Sequence, residues 1–279
     1  MKTAIRIFES IWKENTGIDK FKYLFNAIAW QIHKKRKHSF VKKLHTGAYV
    51  KVCPSSAYSS IFYFKWQEKE DQLFIRNHKY LAPTFVDVGA NVGLFSALVF
   101  DCFKSFYLFE PSPSTFKALQ DTCNLNSGAQ WNLFNVGVAD QKGSMNFIDE
   151  GNLSGTSRFS GENIPKAGQS RTISVNVDTL DNLIPEKIGD IILKVDVEGF
   201  EERVFKGANR MFSNQQAKLV MFERLGRTNL QNLKDFFKSH HYTIFAVQKD
   251  GKINTSDDVI SVPLINLFAA PERIFATLT

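Results

Sequence analysis

The segment KVDVEG at residues 194–199 carries charged side chains at alternate positions. Lys194, Asp196 and Glu198 lie on one side if the preceding apolar segment is a strand that continues through them. A carboxylate there could take a proton from a hydroxyl group, and a neighbouring lysine could hold that carboxylate in place. We expect Asp196 to be the base and Glu198 to bind the hydroxyl-bearing molecule. The alternative is that both acids cap a helix that begins near Phe200.

A turn that contains glycines follows another apolar segment, FVDVG. In DVGANVG, Gly89 lies where a strand would end, and Asn91 and Gly93 lie where a helix would begin. Such a turn lets backbone N–H groups approach a ligand, and a helix N-terminus favours a carboxylate. Glu110 ends the next predicted strand, 21 positions after Gly89, which suits an acid that binds the ribose hydroxyl groups of a nucleoside.

The same turn helps to separate two cofactors that both contain adenosine, NAD and S-adenosylmethionine. NAD sites usually need G-x-G-x-x-G to make room for a pyrophosphate, whereas Asn91 occupies the second glycine position here. The turn therefore favours S-adenosylmethionine, and a nicotinamide-dependent oxidoreductase is the alternative. Asp140, after the third predicted strand, could accept hydrogen bonds from the adenine amino group, although aspartate is also common in turns.

The elements that would position these residues alternate between strand and helix from Pro83 onward. This pattern predicts an α/β domain with a mostly parallel sheet and helices on both faces. YTIFAVQ and LINLFAAP, on either side of Asp250-Gly251, predict a final antiparallel pair at the sheet edge. Residues 149–168 are rich in Gly, Ser and Asn and predict a loop. The other predicted strands are residues 85–89, 106–110, 131–138, 145–148, 190–196 and 218–223.

Residues 1–80 lack this alternation and predict a small α+β subdomain before a main domain at 81–279. Strands are expected at 48–52 and 60–66. A predicted helix carries an apolar stripe that runs into the basic segment 33–38, and we expect the stripe to pack on the main domain. A helix on a membrane surface would show the same pattern, so peripheral membrane contact through residues 21–43 is the alternative. The stripe consists of Phe21, Leu24, Phe25, Ile28 and Ile32.

Composition excludes several classes of protein. The 279 residues are 43% hydrophobic, enough for a substantial core, and the 26 phenylalanines are spread along the chain. No apolar stretch has the length of a membrane span, and the N-terminus lacks a continuous secretory signal, so we expect a cytoplasmic protein. Much of the net charge of +7 lies in residues 34–43. Without an amino-methylation motif or a recognition module, we expect no nucleic-acid partner.

Five segments resemble, in order, those of the FkbM family of methyltransferases, over roughly residues 83–271. They are FVDVGANVGLFS, FEPSPSTFKAL, NVGVADQKG, VDTLDNL and DIILKVDVEGFEERVFKGA. The resemblance implies a Rossmann-like class I methyltransferase fold and transfer of a methyl group from S-adenosylmethionine. The acceptor would commonly be an oxygen of a sugar, a glycan or a secondary metabolite. A catalytically silent nucleotide-binding protein is the non-enzyme alternative.

The same resemblance implies roles for individual residues. Glu110, followed by Pro111, would hold the ribose, and Asp140 would lie near the adenine. The residues expected at the methionine end are Asp87, Gly89, Asn91 and Gly93. Glu223 ends the predicted strand 218–223 and could join Asp196 around Mg²⁺, an arrangement similar to metal-dependent O-methyltransferases. Arg224 stands where those enzymes would have a second acid or an amide, so the metal remains open.

Overall fold

The computed structural model describes residues 2–36, 38–52, 61–63, 68–149, 158–159, 171–225, 228–262 and 265–278. The chain begins with two helices and a hairpin whose strands pair antiparallel. These elements are α1 (Lys2–Glu14), α2 (Asp19–Lys35), β1 (Phe40–Lys43) and β2 (Tyr49–Val52). The strand predicted at 60–66 falls largely outside the described residues, and its described part, 61–63, is a 3₁₀ turn. Within these ranges no helix is both long and apolar enough to span a membrane.

The remainder of the chain alternates strands and helices as predicted. The first part comprises α3 (Lys69–Asn77), β3 (Thr84–Val88), α4 (Leu94–Leu98), β4 (Ser105–Phe109), α5 (Pro113–Asn124), β5 (Gln130–Phe134), β6 (Gly137–Val138), β7 (Gly143–Asp149), β8 (Arg158–Phe159) and β9 (Arg171–Asp178). The second part comprises α6 (Leu180–Leu183), β10 (Ile191–Val195), α7 (Glu201–Lys206), α8 (Asn209–Ser213), β11 (Ala217–Arg224), α9 (Leu230–Ser239), β12 (Tyr242–Val247), β13 (Ile253–Asn254), α10 (Asp257–Ile260), β14 (Ile265–Pro271) and α11 (Glu272–Phe275).

The main sheet has eight strands in the order β13-β12-β14-β11-β10-β3-β4-β5. Strands β11, β10, β3, β4 and β5 are parallel, whereas β14 pairs antiparallel with both β11 and β12. The antiparallel pair is confirmed, but β14 lies inside the sheet and β12 with β13 forms the edge. Strand order reverses between β3 and β10, and a ligand cleft in such a sheet is expected at the carboxyl ends of those strands.

The predicted strand 131–138 is wrong in its extent, because it divides between two sheets. Gln130–Phe134 stays in the main sheet, whereas Gly137–Val138 joins a four-stranded sheet in the order β6-β9-β7-β8. A Cβ at Gly137 would lie 2.4 Å from Cζ of Phe159, so a larger residue would require the Phe159 ring to shift. The predicted loop 149–168 is wrong at Asp149, which ends β7, and at 158–159, which form strand β8. Residues 150–157 and 160–168 lie outside the described residues.

Both faces of the main sheet are covered, which explains why β3 and β10 are buried at every position. One face packs Val86 and Leu193 against the phenylalanines of α7, α8 and α9. The other face packs Phe85 against α4 and α5. Helix α3 precedes the domain boundary predicted at residue 81, yet its Phe74 and Ile75 belong to this second core.

Helix α2 packs through a different face from the one predicted. Its buried residues are Tyr23, Ala27 and Trp30, and Trp30 stacks on Phe62 with ring centroids 4.5 Å apart. Four residues of the predicted stripe are instead exposed, namely Phe21, Phe25, Ile28 and Ile32. The expectation that this stripe packs on the main domain was therefore wrong. The helix is apolar on two sides, and periodicity alone does not say which side meets the protein.

Candidate functional site

A cleft opens at the carboxyl ends of β3, β4, β10 and β11. Glu223 lines this cleft together with six other residues that were predicted from the sequence. These six are Gly89, Asn91, Glu110, Pro111, Asp196 and Glu198. Its apolar lining includes Val136, Gly137, Val138, Phe147 and Phe159. The glycine turn and the acid after β4 therefore open onto one surface, as the sequence predicted.

Gly89 follows β3 and lies against the backbone that follows β10. Its φ of 80° lies in the left-handed region, and its N–H donates to the carbonyl of Phe109 at 3.0 Å. A Cβ at this position would lie 1.9 Å from the backbone oxygen of Asp196. Gly93 also has a positive φ, 79°, but it packs against Leu119 and does not line the cleft.

Glu110 is anchored to the glycine turn. Its Oε2 accepts a hydrogen bond from the N–H of Asn91 at 3.1 Å, and its Oε1 accepts one from the N–H of Ser112 at 2.9 Å. The side chain is 5% exposed, and this burial raises the pKa of Glu110 to about 7, although the two backbone donors oppose the shift. Each carboxylate oxygen has a second lone pair, so Glu110 can still accept hydrogen bonds from ribose hydroxyl groups.

Lys194 lies beneath the cleft between two carboxylates. Its Nζ is 3.2 Å from Oδ1 of Asp87 and 3.2 Å from Oδ2 of Asp196. Burial alone would lower the pKa of Lys194, but the carboxylates of Asp196, Asp87 and Glu68 outweigh it and hold this pKa above its ordinary value. Lys194 therefore stays protonated. It can position Asp196, but it cannot act as the base.

Three acids lie together above Lys194. Carboxylate oxygens of Asp196, Glu198 and Glu223 come within 4.8 Å of one another. Strand β10 ends at Val195, so a continuing strand is not what places Asp196 and Glu198 on one side. Glu198 has a φ of 55° and Gly199 a φ of 93°. This left-handed turn, which costs a residue with a side chain on the order of 1–2 kcal/mol, brings Glu198 back to the cleft.

Glu223 differs from the other two acids in its surroundings. Burial, followed by the charges of Asp196, Glu198 and Glu201, raises the pKa of Glu223 to about 8. Its Oε2 is buried and has no hydrogen-bond partner among the described residues. Helix α7 has Phe200 at its N-cap position, and this side chain makes no capping bond. The alternative in which Asp196 and Glu198 cap the helix stays a prediction.

The methyltransferase FkbM domain family matches residues 87–244 of the sequence, more than half of the chain. The chain belongs to the FkbM methyltransferase family. Membership decides between the two cofactor readings, because it makes the chain an S-adenosylmethionine-dependent methyltransferase and not a nicotinamide oxidoreductase. The mostly parallel sheet with its antiparallel β14 is the Rossmann-like class I methyltransferase fold. No curated protein matches the sequence.

Several solved structures are similar to this FkbM methyltransferase at low identity. Precorrin-6y C5,15-methyltransferase from Geobacter metallireducens GS-15 is 10% identical, with 77% of this chain and 92% of that chain covered and a TM-score of 0.41. An S-adenosylmethionine-dependent methyltransferase from Leishmania major is 12% identical, with coverages of 94% and 89% and a TM-score of 0.40. TYW2 from M. jannaschii, solved in complex with AdoMet, is 13% identical, with coverages of 83% and 84% and a TM-score of 0.36.

Besides Gly93, two further predicted cofactor residues of the FkbM methyltransferase, Asp87 and Asp140, lie outside the lining of the cleft. Asp87 is fully buried below it, bound to Lys194 and to the Ser96 hydroxyl at 2.8 Å. Asp140 accepts two hydrogen bonds from the Arg203 guanidinium, at 2.8 and 2.6 Å. Burial opposes the shift, but Arg203 holds the pKa of Asp140 below its ordinary value. Contact between Asp140 and an adenine stays a prediction.

The start of α3 and strand β14 add an acidic group, Glu68 and Asp71, that was not predicted from the sequence. Asn266 is the register partner of Glu223, and its Nδ2 donates to Asp71 at 2.9 Å and to Glu68 at 3.4 Å. Burial raises the pKa of Asp71 to about 7. Nothing local to Glu68 and Asp71 indicates this position, because the contact joins residues 195 positions apart.

Glu201 is a further acid that sequence reasoning did not assign to the site. It is completely buried, and its Oε1 accepts a hydrogen bond from the N–H of Gly199 at 2.9 Å. Burial raises the pKa of Glu201 to about 6. The bond supports the left-handed turn that presents Glu198, so Glu201 acts on the cleft through the backbone.

Proposed function

We propose that this FkbM methyltransferase methylates a hydroxyl oxygen of a sugar, a glycan or a similar polyhydroxylated small molecule. The observation that carries the proposal is the position of Asp196. Its carboxylate faces the same cleft as Glu110 and the Gly89 turn, and it is held there by Lys194. A base so placed suits an acceptor that must lose a proton on attack.

The described residues fit the methyl donor. S-adenosylmethionine supplies a methyl carbon made electrophilic by a sulfonium. Glu110 would accept hydrogen bonds from the ribose, and the turn at Gly89 and Asn91, which borders the cleft, would lie beside the methionine end. The carboxylates of Asp196 and Glu198 give the adjoining part of the cleft a negative field that favours a cationic group.

Asp196 can receive the proton that the acceptor loses and can pass it on to solvent. The acceptor O–H bond breaks as its proton passes to the Asp196 carboxylate, and a C–O bond forms while the S–CH₃ bond breaks. The products are a methyl ether and neutral S-adenosylhomocysteine. The side chain of Asp196 is 42% exposed, so its proton can pass on to water. Glu198 and Glu223 would accept hydrogen bonds from neighbouring hydroxyl groups of the acceptor. An uncharged polyol has such groups, whereas the acids would repel the phosphate of a phosphorylated acceptor.

A divalent cation is a second candidate component of this site, as an addition to the base and not a replacement for it. The three carboxylates offer oxygen ligands, and the buried Oε2 of Glu223 is without a partner among the described residues. Lys194 beside Asp196 weighs against it, because its charge repels a cation. Turnover measured after chelation and again with added Mg²⁺ decides: restoration by Mg²⁺ supports the ion, and unchanged turnover removes it.

The experiment that tests the function combines cofactor calorimetry with methyl transfer from labelled S-adenosylmethionine to a panel of hydroxylated acceptors. Asp196→Asn should lower turnover about 10²- to 10⁴-fold and leave the affinity for S-adenosylmethionine within about twofold. The exposed Asp258, substituted in the same way, is the matched control and should change neither quantity. Binding of the cofactor without transfer to any acceptor would support the silent binding protein, and methylation of nitrogen or carbon would contradict the O-methyl assignment.

A further inference from the structure

Helix α2 has a second apolar face that the protein does not cover. Its exposed residues recur at spacings of four, three and four positions, and at about 100° per residue they lie within about 60° of one another, opposite the buried face. Two of them, Phe21 and Phe25, are 65% and 75% exposed. The full stripe is Phe21, Phe25, Ile28 and Ile32.

The exposed surface continues onto α1. The ring of Phe8 stacks on Trp12 with centroids 5.0 Å apart, and Trp12 meets Phe21 edge-on at 5.8 Å. Ile18, in the turn between the helices, is 84% exposed. We call this surface the N-terminal apolar patch; it consists of Phe8, Trp12, Ile18, Phe21, Phe25, Ile28 and Ile32. Large exposed apolar surfaces of this kind mark sites of protein or membrane contact.

The charge of the chain is concentrated beside this patch. The first 43 residues contain eleven Lys or Arg and three Asp or Glu, a net charge of +8 against +7 for the whole sequence. The remaining residues therefore carry a net charge of −1. Lys20 lies over the ring of Trp12, with its Nζ 5.1 Å from the ring centroid. The exposed cations along α2 and the hairpin include Lys22, Lys34, Lys35, Arg36 and Lys43.

We propose that the N-terminal apolar patch and these cations bind the surface of an anionic lipid bilayer, with α1 and α2 lying in the interface. Such helices bury an apolar face at the level of the headgroups while lysine and arginine contact anionic lipid. Aromatic rings and long basic side chains suit that depth, since both have an apolar body and a polar end. The exposed rings of Phe8 and Trp12 would enter first with Phe21.

Charge complementarity distinguishes a bilayer from the other occupants. A second copy of the chain would bring its own net +8 against this surface, and like charges across an interface are unfavourable. A nucleic acid would use the cations but leave Phe25 and Ile28 in water. An anionic bilayer satisfies both the apolar side chains and the cations.

The test is sedimentation of the full chain with vesicles of phosphatidylcholine alone and with about 30% phosphatidylglycerol, at low and high salt. Phe25→Ser with Ile28→Ser should lower the partition coefficient on anionic vesicles by about tenfold or more. Both side chains are more than half exposed, so the fold should tolerate the change, which a thermal melt checks. Tyr80→Ser with Leu125→Ser, exposed apolar positions elsewhere, is the matched control and should bind like the wild type.

Two further measurements keep the proposal falsifiable if the double variant fails to fold. The tryptophan fluorescence emission of the wild-type chain should shift to shorter wavelength when anionic vesicles are added. The substitution Trp12→Phe should remove this shift. Charge reversal at Lys34, Lys35 and Arg36 should reduce anionic binding at least tenfold, since each cation near a bilayer contributes about a factor of five. Equal binding of neutral and anionic vesicles, or no binding to either, overturns the proposal. Light scattering that shows a wild-type dimer dissociated by Phe25→Ser with Ile28→Ser assigns the patch to self-association and overturns it as well.

Discussion

Lys194 and Asp87 are register partners on neighbouring parallel strands, and Nζ of Lys194 lies 3.2 Å from Oδ1 of Asp87. The two side chains are 5% and 0% exposed. Because Lys194 also contacts Asp196 at the surface of the cleft, this pair joins the interior of the sheet to the proposed base. Two residues, Lys194 and Asp196, thus lie between Asp87 and the hydroxyl group of the proposed acceptor, and any effect of Asp87 on catalysis passes through Lys194.

Lys194→Met should lower the free energy of unfolding by about 3–5 kcal/mol, because it leaves the buried Asp87 without a counter-charge. The matched control is Lys218→Met, whose partner Asp190 lies at the same distance, 3.2 Å, but is 49% exposed. That substitution should cost about 1 kcal/mol or less. Chemical denaturation measures both. Equal losses in the two variants would show that burial of the Lys194–Asp87 pair does not matter.

Gly89→Ala should abolish cofactor binding and destabilise the fold, because its Cβ would overlap the backbone oxygen of Asp196 and its φ is positive. Two control glycines separate the effect of the steric overlap from the effect of the positive φ. Gly251→Ala meets open space at a φ of 81° and should cost only about 1–2 kcal/mol. Gly143→Ala has open space and no positive φ and should be neutral. Calorimetry with S-adenosylmethionine and chemical denaturation give the two readouts; normal affinity in Gly89→Ala would mean that the two central strands can separate without loss.

The sequence was sufficient for the features set by local pattern. Buried strands such as Ile191–Val195 are largely apolar runs, and Ser112-Pro113 is a common pair at a helix start: Ser112 caps α5 by accepting from the N–H of Thr115. The glycine turn and Glu110 were expected on one surface because parallel strands end at one edge of a sheet, and they meet at 3.1 Å.

What could not be predicted depends on residues distant in sequence. After the break at Phe134, Gly137 packs against Phe159, a residue further along the chain. The choice between two apolar faces of α2 depends on Phe62, which stacks on Trp30. Asp71 reaches the cleft rim through Asn266, a bond between chain segments that pattern reading treats separately.

The stability and cofactor affinity of the enzyme should change in opposite directions between pH 5 and pH 8 because of Glu110. Its pKa is about 7 in the folded chain against an ordinary value of 4.5, so the folded chain binds this proton more tightly than the unfolded chain. The stabilising contribution is complete below pH 4.5 and is lost as pH rises through 7, up to about 3 kcal/mol. Affinity for S-adenosylmethionine should instead rise, because the ionised carboxylate accepts hydrogen bonds from ribose.

Glu110→Gln should be more stable than the wild type at pH 8 and should show a weaker pH dependence of binding. The acids Glu223 and Asp71 titrate in the same range in both proteins, so the difference between them isolates Glu110. Identical pH profiles of the two proteins, in denaturation and in calorimetry, would contradict the role of Glu110 in binding the cofactor.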